Sequence, residues 1–192
     1  DFAMDPHESS PITMIAGGMG ITPFLSMIEA LLQIRSTRST TLFYTVRGAD
    51  DLIRPSLLRK AVETMPHFRV HIFLTRCSIS PESQDSLGDS PRLHIHDLTR
   101  LTSRHVTVGT LPHCGDYYVC GSASMNADIC RGLESCGVDA DRIHVETFGA
   151  GPQPAAGSTR AHSILFDGSD RSVDWLLRNG EIMEFADASR IG

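Results

Sequence analysis

The run Met14-Ile15-Ala16-Gly17-Gly18-Met19-Gly20-Ile21-Thr22-Pro23-Phe24-Leu25-Ser26-Met27-Ile28 carries residue types suited to holding an anion. An apolar strand enters glycines, and the glycines enter an apolar helical pattern. Glycines let backbone and phosphate approach with no Cβ between them. A helix N-terminus then offers unpaired N–H groups and a positive dipole end. The expected ligand is the pyrophosphate of a dinucleotide. Gly18-x-Gly20-x-x-Pro23 departs from the usual third glycine, but proline is a good first helical residue. Thr22 is the expected N-cap. A plain β-α turn in another Rossmann-like protein, such as a methyltransferase, fits these residues equally well.

Elements that could position such a turn follow in order. Ile12 to Ala16 is apolar throughout, as in a central parallel strand. Phe24, Leu25, Met27, Ile28, Leu31 and Leu32 form a broad stripe, so the helix from Pro23 to about Ile34 packs on a sheet. Thr41–Val46, Phe68–Leu74, Tyr117–Cys120 and Ile143–Thr147 read as four further strands. Helical patterns span Leu52 to Met65 and Met125 to Ser135, the second closed by Gly137. Thr75 to Leu93 reads as a long polar loop, Leu93 to His96 as a short extension, and Asp97 to Leu101 as a brief helix.

The alternation predicts an α/β domain, a doubly wound parallel five-stranded sheet with helices on both faces. Ligands of such sheets bind beyond the strand C-termini. Those ends carry Gly17-Gly18, Arg47, Thr75-Arg76, Cys120-Gly121 and Glu146.

Composition narrows the function classes. The chain has 192 residues, 41% of them hydrophobic, enough for one domain and part of another. A net charge of −6 argues against nucleic-acid binding, which needs a basic face. No apolar run reaches membrane-spanning length and no signal peptide precedes the first strand, so a cytoplasmic location is expected. Five cysteines, an odd number with no C-x-x-C pair, suit a reducing compartment. His94 and His96 are the closest histidine pair. They are expected on opposite sides of a strand, as surface or loop side chains and not a metal site. The chain opens on Asp1 and not Met, as expected of a piece of something longer.

Four motifs now stand in order: Ala16-Gly17-Gly18-Met19-Gly20-Ile21-Thr22-Pro23, Tyr44-Thr45-Val46-Arg47, Tyr118-Val119-Cys120-Gly121-Ser122-Ala123-Ser124-Met125 and Glu146-Thr147-Phe148-Gly149. Together they resemble the nicotinamide-binding domain of ferredoxin–NADP reductase-type flavoproteins, over residues 12–149. The resemblance implies hydride transfer from nicotinamide to a flavin, FMN or FAD, and then single electrons to an iron–sulfur centre. It implies cofactor contacts from Gly17, Gly18, Gly20, Ile21, Thr22, Pro23, Arg47, Gly121, Ser122 and Met125. Cys120 is then expected beside the nicotinamide ring, though a buried strand-end cysteine is the ordinary alternative. Glu146 and Phe148 match the acid and aromatic near the flavin; an exposed carboxylate and a core ring are their alternatives. Thr75-Arg76 falls where NADP-using members carry Ser-Arg against the 2′-phosphate. The Lys-x-Tyr that accompanies it there is absent, and NADH against NADPH stays open with a lean to NADH.

After a Gly/Pro/Ala-rich linker at 150–160, Ser163 to Phe166 and Ser172 to Trp175 read as two short strands around Asp167-Gly168-Ser169-Asp170. Residues 161–192 resemble the start of a plant-type [2Fe–2S] ferredoxin, an incomplete β-grasp. Reductase followed by ferredoxin is the order of the phthalate dioxygenase reductase and vanillate demethylase reductase group. Its acceptor would be a protein such as an oxygenase.

Three departures qualify the resemblance. Ser122 replaces the proline of Cys-Gly-Pro and is expected to loosen that turn. The flavin domain would precede residues 1–11, which read as its linker. The C-x4-C-x2-C cluster motif does not occur in this sequence. The chain alone is therefore expected to bind neither flavin nor cluster and to show no turnover. A non-catalytic nucleotide-binding or interaction remnant is the alternative function.

Overall fold

The computed structural model describes residues 2–107, 115–147, 162–166 and 171–175. It divides into two compact units, residues 1–149 and 150–192. Within the second, β7 (His162–Phe166) pairs antiparallel with β8 (Arg171–Trp175), as expected of the two short strands.

The first unit holds six parallel strands: β1 (Ile12–Gly17), β2 (Thr40–Val46), β3 (Phe68–Leu74), β4 (Leu93–His96), β5 (Asp116–Gly121) and β6 (Ile143–Thr147). Their order is β4-β3-β2-β1-β5-β6. The α/β fold class is as expected, with one strand more. Leu93–His96 pairs with β3 (Val70 opposite Leu93) and becomes the edge. The helices are α1 (Thr22–Gln33), α2 (Pro55–Thr64), α3 (Pro81–Leu87), α4 (Ser103–Thr107) and α5 (Ala123–Ser135). Two differences from the sequence reading involve short helices. Pro81 and the N-cap Ser80, whose oxygen accepts from Ser83 N at 3.2 Å, turn part of the polar loop into α3. Asp97 to Leu101 is not helical; the turn forms later, as α4.

Alternation along the strands separates two cores. Met14, Ala16, Leu42, Tyr44, Val70 and Ile72 meet α1 and α2 on one face. Ile15, Phe43, Phe73, Tyr117 and Val119 meet Val106 of α4 and Ile129 and Leu133 of α5 on the other. The chain reverses its direction of travel between β1 and β5, and the ends of those strands flank the switch point where such sheets bind ligands.

Residues 2–11 lie against this unit. Phe2 packs edge-on against Tyr118 (5.5 Å between ring centres) and tilted against Phe24 (5.7 Å). The Arg38 guanidinium, buried beneath the segment, donates to the carbonyls of Ser10 and Asp5 and to the Ser10 hydroxyl.

His94 and His96 share one face of β4, as residues two apart on a strand must, which corrects their expected placement on opposite sides. His96 stacks on Phe73 (4.2 Å) and His94 on His71 (4.7 Å), which stacks in turn on Phe43 (4.9 Å). His105 meets Phe73 edge-on at 5.0 Å. His71 Nδ1 lies 3.3 Å from His96 Nε2, a contact that needs at least one neutral ring. Burial, then His94, His96 and Arg69, push His71 down to about 4. Burial, with His105 and His94, lowers His96 too. Among the described residues no group of three or more His, Cys, Asp or Glu is placed to hold a metal.

The stack makes the fold acid-sensitive. Unfolded, His71 takes a proton near pH 6.5; folded, only near 4. Between these values the unfolded state binds more protons, so stability falls as pH drops from about 6.5 to about 4. Denaturant midpoints should decrease across that window, and His71→Phe should flatten the decrease. An equally steep decrease in the variant would contradict this assignment.

Candidate functional site

β1 delivers Gly17 to the switch point, and a 3-10 turn, Gly18–Ile21, leads into α1. Gly18 sits at φ +53°, a left-handed conformation that favours glycine, with open space around it. Gly20 is buried for another reason. A Cβ there would lie 2.6 Å from the carbonyl carbon of Cys120 and closer still to its oxygen. The turn is pressed onto the end of β5, so Gly20 is a packing glycine. Thr22 is not the N-cap. It is helical, at φ −56° and ψ −47°, and its hydroxyl donates back to Met19 O at 3.0 Å. Pro23 takes the first turn of α1, where its missing N–H costs nothing.

On the other side of the switch point, Ser122 caps α5, its oxygen accepting from Met125 N at 3.4 Å. Its φ of −66° is the value a proline ring imposes, so serine keeps the turn that proline would give and adds a cap. The expected loosening does not occur. Met125 reaches back between the two strand ends. Its Sδ lies 2.8 Å from where a Cβ on Gly17 would be, and its Cε fills the matching space at Gly121.

Between these elements lies a cavity of about 540 Å³. Of the residues expected from sequence it brings together Gly17, Gly18, Arg47, Thr75, Ser122 and Met125. Gly20, Ile21, Thr22, Pro23, Arg76, Cys120, Gly121 and Glu146 do not line it. Arg76 is exposed, and its backbone N–H donates to Arg47 O at 2.9 Å. Phe148 lies outside the described residues. Sequence reasoning missed Arg100, Leu101, Thr102 and Asp128, which complete the wall. The first three follow β4, whose strand character was the weakest signal in the chain. Thr45, Val46 and Ser124 also line it, from within two of the quoted motifs. A second, more open groove of about 770 Å³ runs between α1 and α2, and none of its walls is a strand end.

Cys120 pairs with Glu146 across β5 and β6, yet the two differ sharply. Glu146 is exposed on the edge strand, and Cys120 is 0% exposed in the α1-side core. Burial first, and then the Glu146 carboxylate, push the Cys120 thiol up to about 11. It is neutral near pH 8, and only the thiolate reacts. Iodoacetamide applied to the native chain at pH 8 should label exposed Cys136 and spare Cys120. Labelling of both at similar rates would show that Cys120 reaches solvent.

Asn126, 4% exposed, ties these strand ends together. Its Nδ2 donates to Gly121 O (3.4 Å), Glu146 O (3.0 Å) and Thr147 Oγ1 (3.3 Å). Its Oδ1 is buried with no partner.

Arginines and hydroxyls on the wall beside the open space at Gly18 suit a phosphate-bearing ligand. A flavohemoprotein of Chromobacterium violaceum is 29% identical over 156 residues, covering 79% of this chain and 35% of that protein. The terephthalate 1,2-dioxygenase reductase component 1 of Comamonas is 27% identical over 152 residues, covering 78% and 41%. The chain thus spans about two fifths or less of the length of these relatives. Among solved structures, the Amycolatopsis cytochrome P450 reductase GcoB superposes with a TM-score of 0.59 at 23% identity, covering 77% of this chain and 41% of that one, which shows a shared fold. The oxidoreductase NAD-binding domain family matches residues 14–131, most of the first unit, and the chain belongs to that family.

Proposed function

We propose that this chain is the NAD(P)H-binding part of a flavoprotein oxidoreductase, presenting the nicotinamide to a flavin held by an adjoining domain. The observation that carries the reading is the cavity at the β1/β5 switch point, walled by a glycine turn, a capped helix start and two arginines. Gly18, with open space around it, gives the pyrophosphate room, and the capped start of α5, where Ser122 and Ser124 line the cavity, turns a helix N-terminus toward it. Arg47 and Thr75 serve the adenosine side. Ser122 and Met125 set the floor toward the nicotinamide. Asn126 holds the ends of β5 and β6 together through the Gly121 and Glu146 carbonyls, and the exposed Glu146 would face the flavin. When bound, the nicotinamide supplies the hydride; these side chains bind, orient and shield it.

The finer expectations belong to the same proposal. FAD is the favoured flavin, because a flavohemoglobin of this fold was solved with FAD bound. A [2Fe–2S] domain following the linker is supported only by the β7–β8 hairpin and the sequence resemblance around it. The downstream acceptor would then be a protein such as an oxygenase, in a reducing compartment. No helix among the described residues is long and apolar enough to cross a membrane.

Calorimetric titration of the chain with NADH and NADPH tests the binding claim. One site should appear for at least one dinucleotide, and Gly18→Val, which forces a branched residue into a left-handed conformation, should weaken it at least tenfold. A folded chain that gives no binding heat with either would refute the reading.

A further inference from the structure

In dinucleotide folds a carboxylate at the end of the second strand holds the ribose 2′-hydroxyl, and an arginine there accommodates a 2′-phosphate instead. The polar residues that line the cavity at the ends of β2 and β3 and after β4 are Thr45, Arg47, Thr75, Arg100 and Thr102. None is acidic. Asp50 and Asp51 follow β2 but do not line the cavity, and Asp51 Oδ2 accepts the Gly48 N–H at 3.0 Å. The wall's carboxylate, Asp128, belongs to α5 across the switch point, where its Oδ2 accepts the Ser103 N–H at 3.0 Å.

Arg100 arrives on a strap anchored at both ends. Thr99 N donates to Leu74 O at 3.0 Å, so the chain leaving β4 doubles back over the end of β3. Leu101 is buried, and Thr102 N donates to His105 Nδ1 at 3.2 Å. Among the described residues, neither the Arg47 nor the Arg100 guanidinium has a hydrogen-bond or ion-pair partner. Both line the one cavity, so a dianion bound there is attracted by both charges. Guanidinium forks match phosphate oxygens bidentately.

We infer that Arg47 and Arg100 hold a 2′-phosphate, that Arg100 is the specificity-determining residue, and that the chain takes NADPH over NADH. This rests on the nucleotide reading above, and it runs against the lean to NADH drawn from domain order. Arg76, the residue the resemblance points to, does not line the cavity.

The test is calorimetric titration of the wild-type chain, Arg100→Gln and Arg104→Gln with NADPH and with NADH. Arg104 is exposed on α4 outside the cavity, and its variant controls for net charge alone. Wild type should bind NADPH at least about tenfold more tightly than NADH, the scale of one charge-assisted hydrogen bond. Arg100→Gln should bring the ratio within about twofold by weakening NADPH far more than NADH, and Arg104→Gln should keep the wild-type ratio. If Arg100→Gln does not fold, Arg47→Gln is expected to give the same collapse of the ratio. Equal or tighter NADH binding by wild type overturns the inference alone, as does an Arg100→Gln variant that keeps the preference. A folded chain that binds neither dinucleotide overturns the nucleotide reading with it.

Discussion

Gly20→Ala should destabilise the first unit by about 3 kcal/mol or more and abolish dinucleotide binding, whereas Gly18→Ala should cost only about 1 kcal/mol. The sequence motif treats both as phosphate-facing glycines, but the structure gives them different tasks. A methyl group on Gly20 meets the backbone of Cys120, with its carbonyl carbon only 2.6 Å away. No side-chain rotamer relieves a clash with backbone. Relief requires the glycine turn to lift from the end of β5, although β1 and β5 are held in register with Ala16 opposite Cys120. The seam that would open is the switch point itself, so stability and binding fail together. Gly18 has nothing within 4 Å, and its substitution costs only the left-handed φ of +53°. Thermal denaturation of the two variants separates the cases. A Gly20→Ala variant melting with wild type would mean that the turn is not pressed onto β5.

Arg38→Met should cost about 3 kcal/mol and release residues 2–11 from the domain. The Arg38 side chain is 2% exposed and lies 3.7 Å from a Glu8 oxygen and 3.9 Å from an Asp116 oxygen. Burial lowers its pKa, and Glu8 and Asp116 act to raise it. Its stronger ties are hydrogen bonds, to Asp5 O at 3.0 Å and Ser10 Oγ at 2.9 Å, besides the Ser10 carbonyl. Methionine fills similar volume but leaves those acceptors without their donor and takes the cation away from the Asp116 carboxylate. The loss sits at the low end for a buried pair because the Glu8 side chain is 54% exposed and can turn to water. Arg38→Lys should recover less than half, since an ammonium cannot reproduce the planar fork. Hydrogen exchange across residues 2–11 and denaturant midpoints measure both effects. Unchanged protection of the segment in Arg38→Met would show that Phe2 and Tyr118 hold it unaided.

This segment also marks where sequence reading stops. Polar, turn-rich composition made residues 1–11 a linker, and nothing local reveals that Arg38, 28 residues beyond Ser10, binds them. The central strands were legible because β1, β2, β3 and β5 are buried on both faces and rich in apolar and aromatic residues. Edge strand β4 was not, since the face it shares with Phe43 and Phe73 carries His94 and His96 in place of aliphatic side chains. That miss hid Arg100 and Thr102, which owe their position to the turn that follows β4. The glycine turn and the Cys120-Gly121-Ser122 turn were legible as local chemistry. Which of their residues face the cavity was not, because that depends on the packing of Gly20 on β5 and of Met125 between Gly17 and Gly121.

Mapping the bound dinucleotide onto individual amides tests most directly where this chain does its work. In a two-dimensional 15N–1H titration with NADPH, the largest shifts should fall at Gly17, Gly18, Thr45, Arg47, Arg100 and Ser122, on both sides of the switch point. Shifts confined to the groove between α1 and α2, or no shifts from a folded chain, would contradict a nicotinamide dinucleotide site at the ends of β1 and β5.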